Sequence, residues 1–523
     1  MQELVLPPAM IETATAAADW VLVMPLVLAL MGAALALMFK RSAQAGFAIA
    51  VAAVVLIIAC EVVLLQRVAV EGPLSMTMGK WLPPFGIAVT ADILGACFAL
   101  TASIVTLVVL VYAHGERAGG GPSDGFHPLV LALLAGVTGS FLTGDFFNLY
   151  VWFEVMLIAS FGLMVLGGKP LQLDGTLKYG FLNFLATTLF LLSLGLLYGV
   201  LGTLNMADIL RVAPSANPAT MAGIAALLLV AFGLKAAAFP LNAWLPASYH
   251  TPPAAISALM AGLLTKVGVF ALLRAMVMLL PASRELLEPV LLAVAVGTLL
   301  IAPLGAIAET NLRRAIGFLV IGGIGAVLVG ITLPSVAGLS GSGAYIFHAI
   351  LSMSALYLVA GLIERVTGQT DTRDIGGLYA ANSWLSILFF TLVLASAGVP
   401  PFLGFWPKLL LIEASVEAGG WSGWLLVTAL VVNAVLTLVA GARLWAHMFW
   451  RNGGVDQRPA PVLQRLPQRE TVLRYGATGA LVLAVVAAGL WPNFLFDIAQ
   501  AGAADMIDPG RYVSAVGLAG GGQ

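Results

Sequence analysis

The sequence predicts an all-α integral membrane protein, a bundle of about fourteen transmembrane helices, and three observations carry the prediction. Of 523 residues, 61% are hydrophobic and only 9% charged, against roughly 25% charged in soluble domains. The mean hydropathy is +1.02, and apolar stretches repeatedly exceed the roughly 20 residues needed to cross a 30 Å hydrocarbon core. Basic residues gather in alternate connections between the apolar runs, as they do where short loops face the cytoplasm. No soluble domain is expected, and the net charge of -1 argues against nucleic acid as a partner. The lipid bilayer is the expected surroundings.

The candidate spans follow in order. Spans one to three are Trp20–Phe39, Gly46–Leu65 and Val89–Tyr112. Spans four to eight are Pro128–Gly144, Phe146–Leu166, Tyr179–Leu201, Met221–Phe239 and Pro253–Leu280. Spans nine to thirteen are Pro289–Ala308, Ala315–Leu333, Ala344–Ile363, Trp384–Ala397 continuing past a break to Ala414, and Trp424–Phe449. Thr478–Trp491 is the last. Glu3, Glu12 and Asp19 precede the first run with no positive charge, so the pattern lacks the basic start of a cleaved signal peptide and the first span is expected to be retained.

Odd-to-even connections hold Lys40, Arg41, Arg117, Lys169, Lys178, Arg313, Arg314, Arg365, Arg373, Arg451, Arg458, Arg465 and Arg469. Even-to-odd connections hold chiefly Arg67, Lys80, Arg211 and Arg284. Both termini are therefore expected outside the cytoplasm, in a multi-pass protein of a bacterial inner membrane. Arg451–Arg474, the longest polar stretch, reads as a cytoplasmic loop or short surface helix that anchors the topology. Glu309, Arg313 and Arg314 read as an interface cluster on the same side.

Two spans look interrupted. Lys235 is followed by Pro240 and Pro246, and Lys408 is preceded by Pro400, Pro401 and Pro407. Proline removes a backbone donor and breaks the helical ladder, and the freed carbonyls survive at membrane depth only beside protein or water. Broken helices in corresponding positions of two halves point to an inverted-repeat transport fold. The expected organisation is residues 1–127 for helices one to three, 128–280 for a first inverted repeat (spans four to eight), 281–450 for a second (spans nine to thirteen), and 451–523 for a loop, the fourteenth helix and a tail. Helices seven and twelve would be the broken ones.

Three charges lie deep in apolar stretches: Glu154, Lys235 and Lys266. A charge at the bilayer centre costs about 2.5 to 3.5 kcal/mol even on lenient insertion scales, so such groups face a protein interior or a water path and carry ions or protons. A low-dielectric interior disfavours the charged form of a lysine, and a nearby carboxylate restores it. Protonation of Lys235 can then depend on how close Glu154 is. The bland reading, a buried pair that holds helices together, is a weak stabiliser because desolvation offsets its attraction. Lys408 after its helix break is either a carrier or an interfacial anchor, and His348 either a relay or a satisfied packing residue. His250, in a turn beside Pro252 and Pro253, either faces an aqueous entry or caps the turn. Asp145 reads as the cap of the fifth helix, with a supporting role at an entry as the other reading, and Asp92 as a residue serving the start of the third.

Cys60 and Cys97 are the only cysteines, so no disulfide framework and no CxxC metal site is available. The histidines, His114, His127, His250, His348 and His447, show no ligand-type pairing, and no Gly-rich phosphate loop precedes a helix. No cofactor and no metal is expected.

Three stretches carry a resemblance: FHPLVLALLAGVTGSFLTGDFFNLYVWFEVMLIASF (Phe126 to Phe161), LNAWLPASYHTPPAAISALMAGLLTKVGVFALLR (Leu241 to Arg274) and GVPPFLGFWPK (Gly398 to Lys408). They resemble the antiporter-like subunits shared by respiratory complex I, membrane hydrogenases and Mrp cation/proton antiporters. KWLPPFGIAVTADILGA (Lys80 to Ala96) and LLYGVLGTLNMADI (Leu196 to Ile209) make the pattern most similar to the D-type subunits of Mrp antiporters. The resemblance runs from about Trp20 to Trp491, and motifs this long are hard to reach by chance.

The resemblance implies a polar axis along the membrane plane. Glu154 matches the glutamate of the family's fifth helix and Lys235 the lysine of the broken seventh, a switching ion pair. Lys266 matches the lysine of the eighth helix, His348 the histidine of the eleventh, and Lys408 the terminal residue of the broken twelfth. Met353 stands where many members carry a lysine, which weakens the route through the second repeat. The expected function is proton translocation within a heteromeric Na+(K+)/H+ antiporter whose other subunits are the partners, not an enzyme. The rivals are an ion-pumping subunit of a redox-driven complex and a stand-alone solute transporter, the latter needing a polar substrate cavity.

Overall fold

The computed structural model describes residues 15–81, 84–116, 125–451 and 463–518, with Lys80 as backbone only. Glu3, Glu12, Arg117 and Arg458 from the sequence reading lie outside the described residues, and so does part of Arg451–Arg474. The fold is all-α and built for a membrane. Among the described residues, eleven helices are long and apolar enough to cross one, and three more are apolar but shorter. In chain order the longer helices are α1 (Met24–Met38), α2 (Ala43–Glu71), α3 (Ile93–Glu116), α4 (Phe126–Phe141), α5 (Phe146–Val165), α6 (Pro170–Leu201), α7 (Pro218–Ala236) and α8 (Ala254–Leu279). They continue with α9 (Glu288–Ala308), α10 (Leu312–Thr332), α11 (Val336–Thr367), α12 (Ser383–Ala397), α13 (Phe405–Ala418), α14 (Gly420–Trp450), α15 (Gln468–Leu490) and α16 (Asn493–Ile507). Each expected span overlaps one of these helices, except the interrupted twelfth, which is divided between α12 and α13, and the third begins in the strand before α3.

The starts are coded locally. Ser42, Asp145, Asn217, Asn311, Ser335 and Asn382 each accept a bond from a first-turn backbone N–H, satisfying donors that a helix leaves open. The layering is tertiary. The most apolar window of α8 is 100% buried and those of α10 and α11 are 94% buried, against 39% for α2, α6, α14 and α15. The inner helices therefore form the core, and the outer ones turn apolar faces such as Leu56, Phe181, Ile158 and Val435 outward, as suits helices in apolar surroundings. α11 is the hub, packed against α3, α8, α10, α13, α15 and α16.

Several elements differ from the sequence reading: α6 begins at Pro170 rather than Tyr179 and α11 at Val336 rather than Ala344. A short antiparallel hairpin, β1 (Leu74–Thr77) and β2 (Ala88–Ala91), joins α2 to α3. The strands pair in a connection, where period-2 alternation over four residues leaves too weak a signal to read. The last span begins at Gln468, not Thr478, because Glu470 and Arg474 pair at 2.8 Å one turn apart, which lets charged residues enter a buried helix end. Arg474 is 2% exposed, so the surface reading of Arg451–Arg474 does not extend to its final turn. The stretch beyond Trp491, expected as a tail, forms α16 and packs on α11 and α3.

Candidate functional site

The break after α7 sets the first part of the site. Ala237 turns into the left-handed region at φ 61°, its successor Ala238 donates back to the Gly233 carbonyl at 2.9 Å, and the Trp244 indole donates to the Leu234 carbonyl at 3.0 Å. The carbonyls freed by the interruption are thus taken by backbone and tryptophan, and Lys235 in the last turn is left over. Lys235 is 4% exposed. Its ammonium has no side-chain hydrogen bond among the described residues and rests 4.9 Å from the centre of the Phe153 ring. Glu154, next to Phe153 on α5, is half-buried. Its carboxylate acts on Lys235 through space, with no ion pair formed between the two.

α8 carries the next group and lies directly on Lys235, since a methyl at Gly268 would stand 3.0 Å from the Lys235 Cβ. Backbone pairing in α8 widens to π-helical between Met260 and Leu264, a form that leaves a carbonyl without its usual partner and recurs at functional sites. Lys266, 1% exposed, donates to that segment's Ala261 carbonyl at 2.7 Å and to Thr265 at 3.2 Å. His348 on α11 is completely buried. Its Nδ1 meets Ser352 at 3.1 Å, its Nε2 has no partner among the described residues, and the charges of Lys408 and Lys266 both act on it. Gly404 approaches that bare nitrogen so closely that a Cβ would sit 2.9 Å from it.

Lys408 follows the second break. It is 5% exposed and donates to the carbonyls of Ser396 at 3.1 Å and Ala397 at 2.9 Å, closing the open end of α12. Glu154, Lys235, Lys266, His348 and Lys408 therefore follow one another across α5, α7, α8, α11 and α13. Met353 is buried on α11 and adds no titratable group. A row of groups that each bind one proton, all but Glu154 buried and cationic when loaded, can pass protons but cannot all be charged together at low dielectric.

The other two named residues sit at the ends of the bundle. Asp145 caps α5, accepting from the Asn148 N–H at 2.9 Å, beside the loop of Asn205. Burial pushes its carboxyl up to about 6. His250 lies at the opposite end, with its Nδ1 2.9 Å from the Pro246 carbonyl. Burial, and then the charges of Arg313, Arg314 and Lys178, push it down to about 4 even though the Pro246 carbonyl favours its protonated form.

Sequence reasoning missed two buried groups. Arg274, at the end of α8, pairs with Asp92 and lies over the Phe270 ring at 4.8 Å, so Asp92 both caps α3 through Gly95 at 2.7 Å and ties α3 to α8. Glu61 of α2 is completely buried. Its signal was the same lone carboxylate in an apolar run that singled out Glu154.

Comparison with known proteins agrees with the geometry. The family model described as NADH:quinone oxidoreductase/Mrp antiporter, TM, matches residues 143–437, which hold Glu154, Lys235, Lys266, His348 and Lys408. The D-type subunit of the Na+/H+ antiporter of Alkalihalophilus pseudofirmus is 37% identical over 73% of this chain and 77% of its own length. Its counterpart in Bacillus subtilis is 32% identical over 94% of this chain and 98% of its own. Among solved structures, a chain of the Mrp complex from Dietzia sp. DQ12-45-1b superposes with a TM-score of 0.88 at 27% identity, covering 96% of this chain and 100% of its own. A family match over more than half of the chain, with one relative 37% identical over 73% of it and another 32% identical over 94%, means that the chain belongs to the NADH:quinone oxidoreductase/Mrp antiporter family and stands among the D-type subunits of its Na+/H+ antiporters.

Proposed function

We propose that this protein is the proton-translocating subunit of a heteromeric Na+(K+)/H+ antiporter, a transporter component and not an enzyme. The observation that supports it most is the continuous row of buried basic groups, Lys235, Lys266, His348 and Lys408, all 5% exposed or less and begun by Glu154. An isolated buried ammonium is costly, so Lys235 keeps its proton while Glu154 is near and surrenders it toward Lys266 when the two part. His348, bare at Nε2, takes the proton between Lys266 and Lys408. Asp145 and His250 lie at opposite ends of the bundle, where they support entry and exit. The position of Met353 leaves water to bridge α11 beside His348.

The same reading takes α4–α8 and α9–α14 as two inverted repeats, each with its fourth member interrupted, in a bacterial inner membrane with both termini outside the cytoplasm. The exposed apolar faces of the outer helices are covered in part by the other subunits. The test is to solubilise the native membrane gently, capture this chain by a tag, identify its companions and assay cation-driven proton movement in vesicles. Small hydrophobic subunits and Na+- or K+-dependent proton movement support the antiporter. Co-purifying flavin or iron–sulfur subunits would move the chain to a redox-driven pump.

A further inference from the structure

We propose that Glu61, Ser103 and Thr138 form a monovalent-cation site in which Na+ and a proton replace one another. Glu61 stands in α2 six residues before Arg67, about 9 Å along the helix, and is 0% exposed. Ser103 of α3 and Thr138 of α4 face its carboxylate, and both are 0% exposed as well. None of these atoms is in hydrogen-bonding geometry: both carboxylate oxygens, the Ser103 hydroxyl and the Thr138 hydroxyl are all buried without a partner. Their neighbours on the same two helices behave differently. Thr101 donates to Cys97 at 2.7 Å, Thr106 to Ala102 at 2.8 Å and Ser140 to Gly136 at 2.7 Å, the usual way a hydroxyl is satisfied inside a helix. Ser103 and Thr138 depart from that habit where they face Glu61.

A buried carboxylate needs either a proton or a counter-charge. The surrounding elements supply no cation at its depth. α1 carries no titratable residue, α4 has only His127 in its first turn, and α3 has Cys97 and, toward its far end, Tyr112, His114 and Glu116. α2 itself adds Cys60, with Arg67 and Glu71 near its end, where Arg67 is engaged by Glu71 at 2.9 Å and by Asp19 of the adjoining turn at 3.2 Å. Four unpaired oxygens with no nitrogen or sulfur are the donors a hard cation takes. The lysines and histidine of the axis can carry protons but repel Na+, and Glu154 faces Lys235. Glu61 is thus the buried carboxylate of the described membrane helices that has no cationic neighbour. The exchange balances: the carboxyl O–H bond breaks, its electron pair stays on oxygen, the proton leaves, and Na+ takes its place against the carboxylate, so one cation is held in either state.

This deepens the antiporter reading and rests on it. The test uses the purified complex and dicyclohexylcarbodiimide, which adds to protonated carboxyls in apolar surroundings, with the adduct on Glu61 measured by mass spectrometry while Na+ replaces choline at constant ionic strength. The adduct should form and Na+ should suppress it, the half-suppressing concentration rising about tenfold for each pH unit lowered, as one-for-one competition requires. The Ser103→Ala, Thr138→Ala double variant should need at least about tenfold more Na+, and Glu61→Gln should carry no adduct. An adduct indifferent to Na+, or none in the wild-type complex, overturns the proposal. Labelling needs no turnover, so a wild-type complex without antiport would sink the antiporter reading while Na+ protection still judged Glu61 by itself.

Discussion

The two helix breaks solve one problem in opposite ways. Each interruption leaves carbonyls without donors inside the membrane. After α7 they are taken by the Ala238 N–H and the Trp244 indole, and the lysine of that break is free of hydrogen bonds, a neighbour of Glu154. After α12 the lysine itself takes them, through Ser396 and Ala397, and among the described residues it forms no ion pair. A lysine without fixed partners can respond to a moving carboxylate, whereas one clamped to two carbonyls is a terminus. The turns differ too: the first bends at Ala237, the sole non-glycine with positive φ among the described residues, and the second at Gly398 with φ 84°.

The largest effects should separate the breaks by transport. Glu154→Gln and Lys235→Ala should each lower proton movement in the assembled complex by at least about tenfold, and the double variant should be no worse than either, as expected of residues acting as a unit. Additive losses in vesicle assays would break the pairing of the two. Stability should then separate them in the reverse sense. Lys408→Met leaves two carbonyls unpaired and should destabilise the protein by about 1 to 3 kcal/mol. Lys235→Met removes a buried cation that bonds to nothing and should be neutral or stabilising. Thermal unfolding of the purified complex reads both, and equal losses would erase the contrast.

The turns give a smaller test. Gly398→Ala forces a side chain into the left-handed region with its Cβ 2.8 Å from the Lys408 Cδ, and should cost about 1 to 2 kcal/mol. Ala237→Gly relieves the same strain and should stabilise by up to about 1 kcal/mol. The smallest effect concerns pH. His250, pushed down to about 4 by burial, is neutral above about pH 6, so His250→Gln should leave the pH profile of transport unchanged there. A displaced profile would place a titrating His250 on the proton path.

Membrane class, the apolar spans, the Asp145 cap and the deep charges were legible in the sequence because each has a local or compositional signal. Apolar runs reveal spans, Asn, Asp and Ser mark caps, and a lone lysine in an apolar run is conspicuous since its burial is costly. Glu61 carried that same signal and became distinct only when α3 and α4 brought two unpaired hydroxyls to it. The partnership of Asp92 with Arg274, and of Arg474 with Tyr112 at 2.6 Å, joins residues far apart in the chain, which no periodicity records.

The sequence by itself determined that this chain lives in a membrane, roughly where its apolar spans fall and which charges lie deep in them, because those properties follow from the apolar content of each segment alone. Only the tertiary structure decided which helices form the core, that Lys235 stands free while Lys408 is clamped, and that Glu61 meets Ser103 and Thr138. Those outcomes depend on which faces of distant helices meet, and a buried polar group acquires its role from the partners that packing brings or denies it.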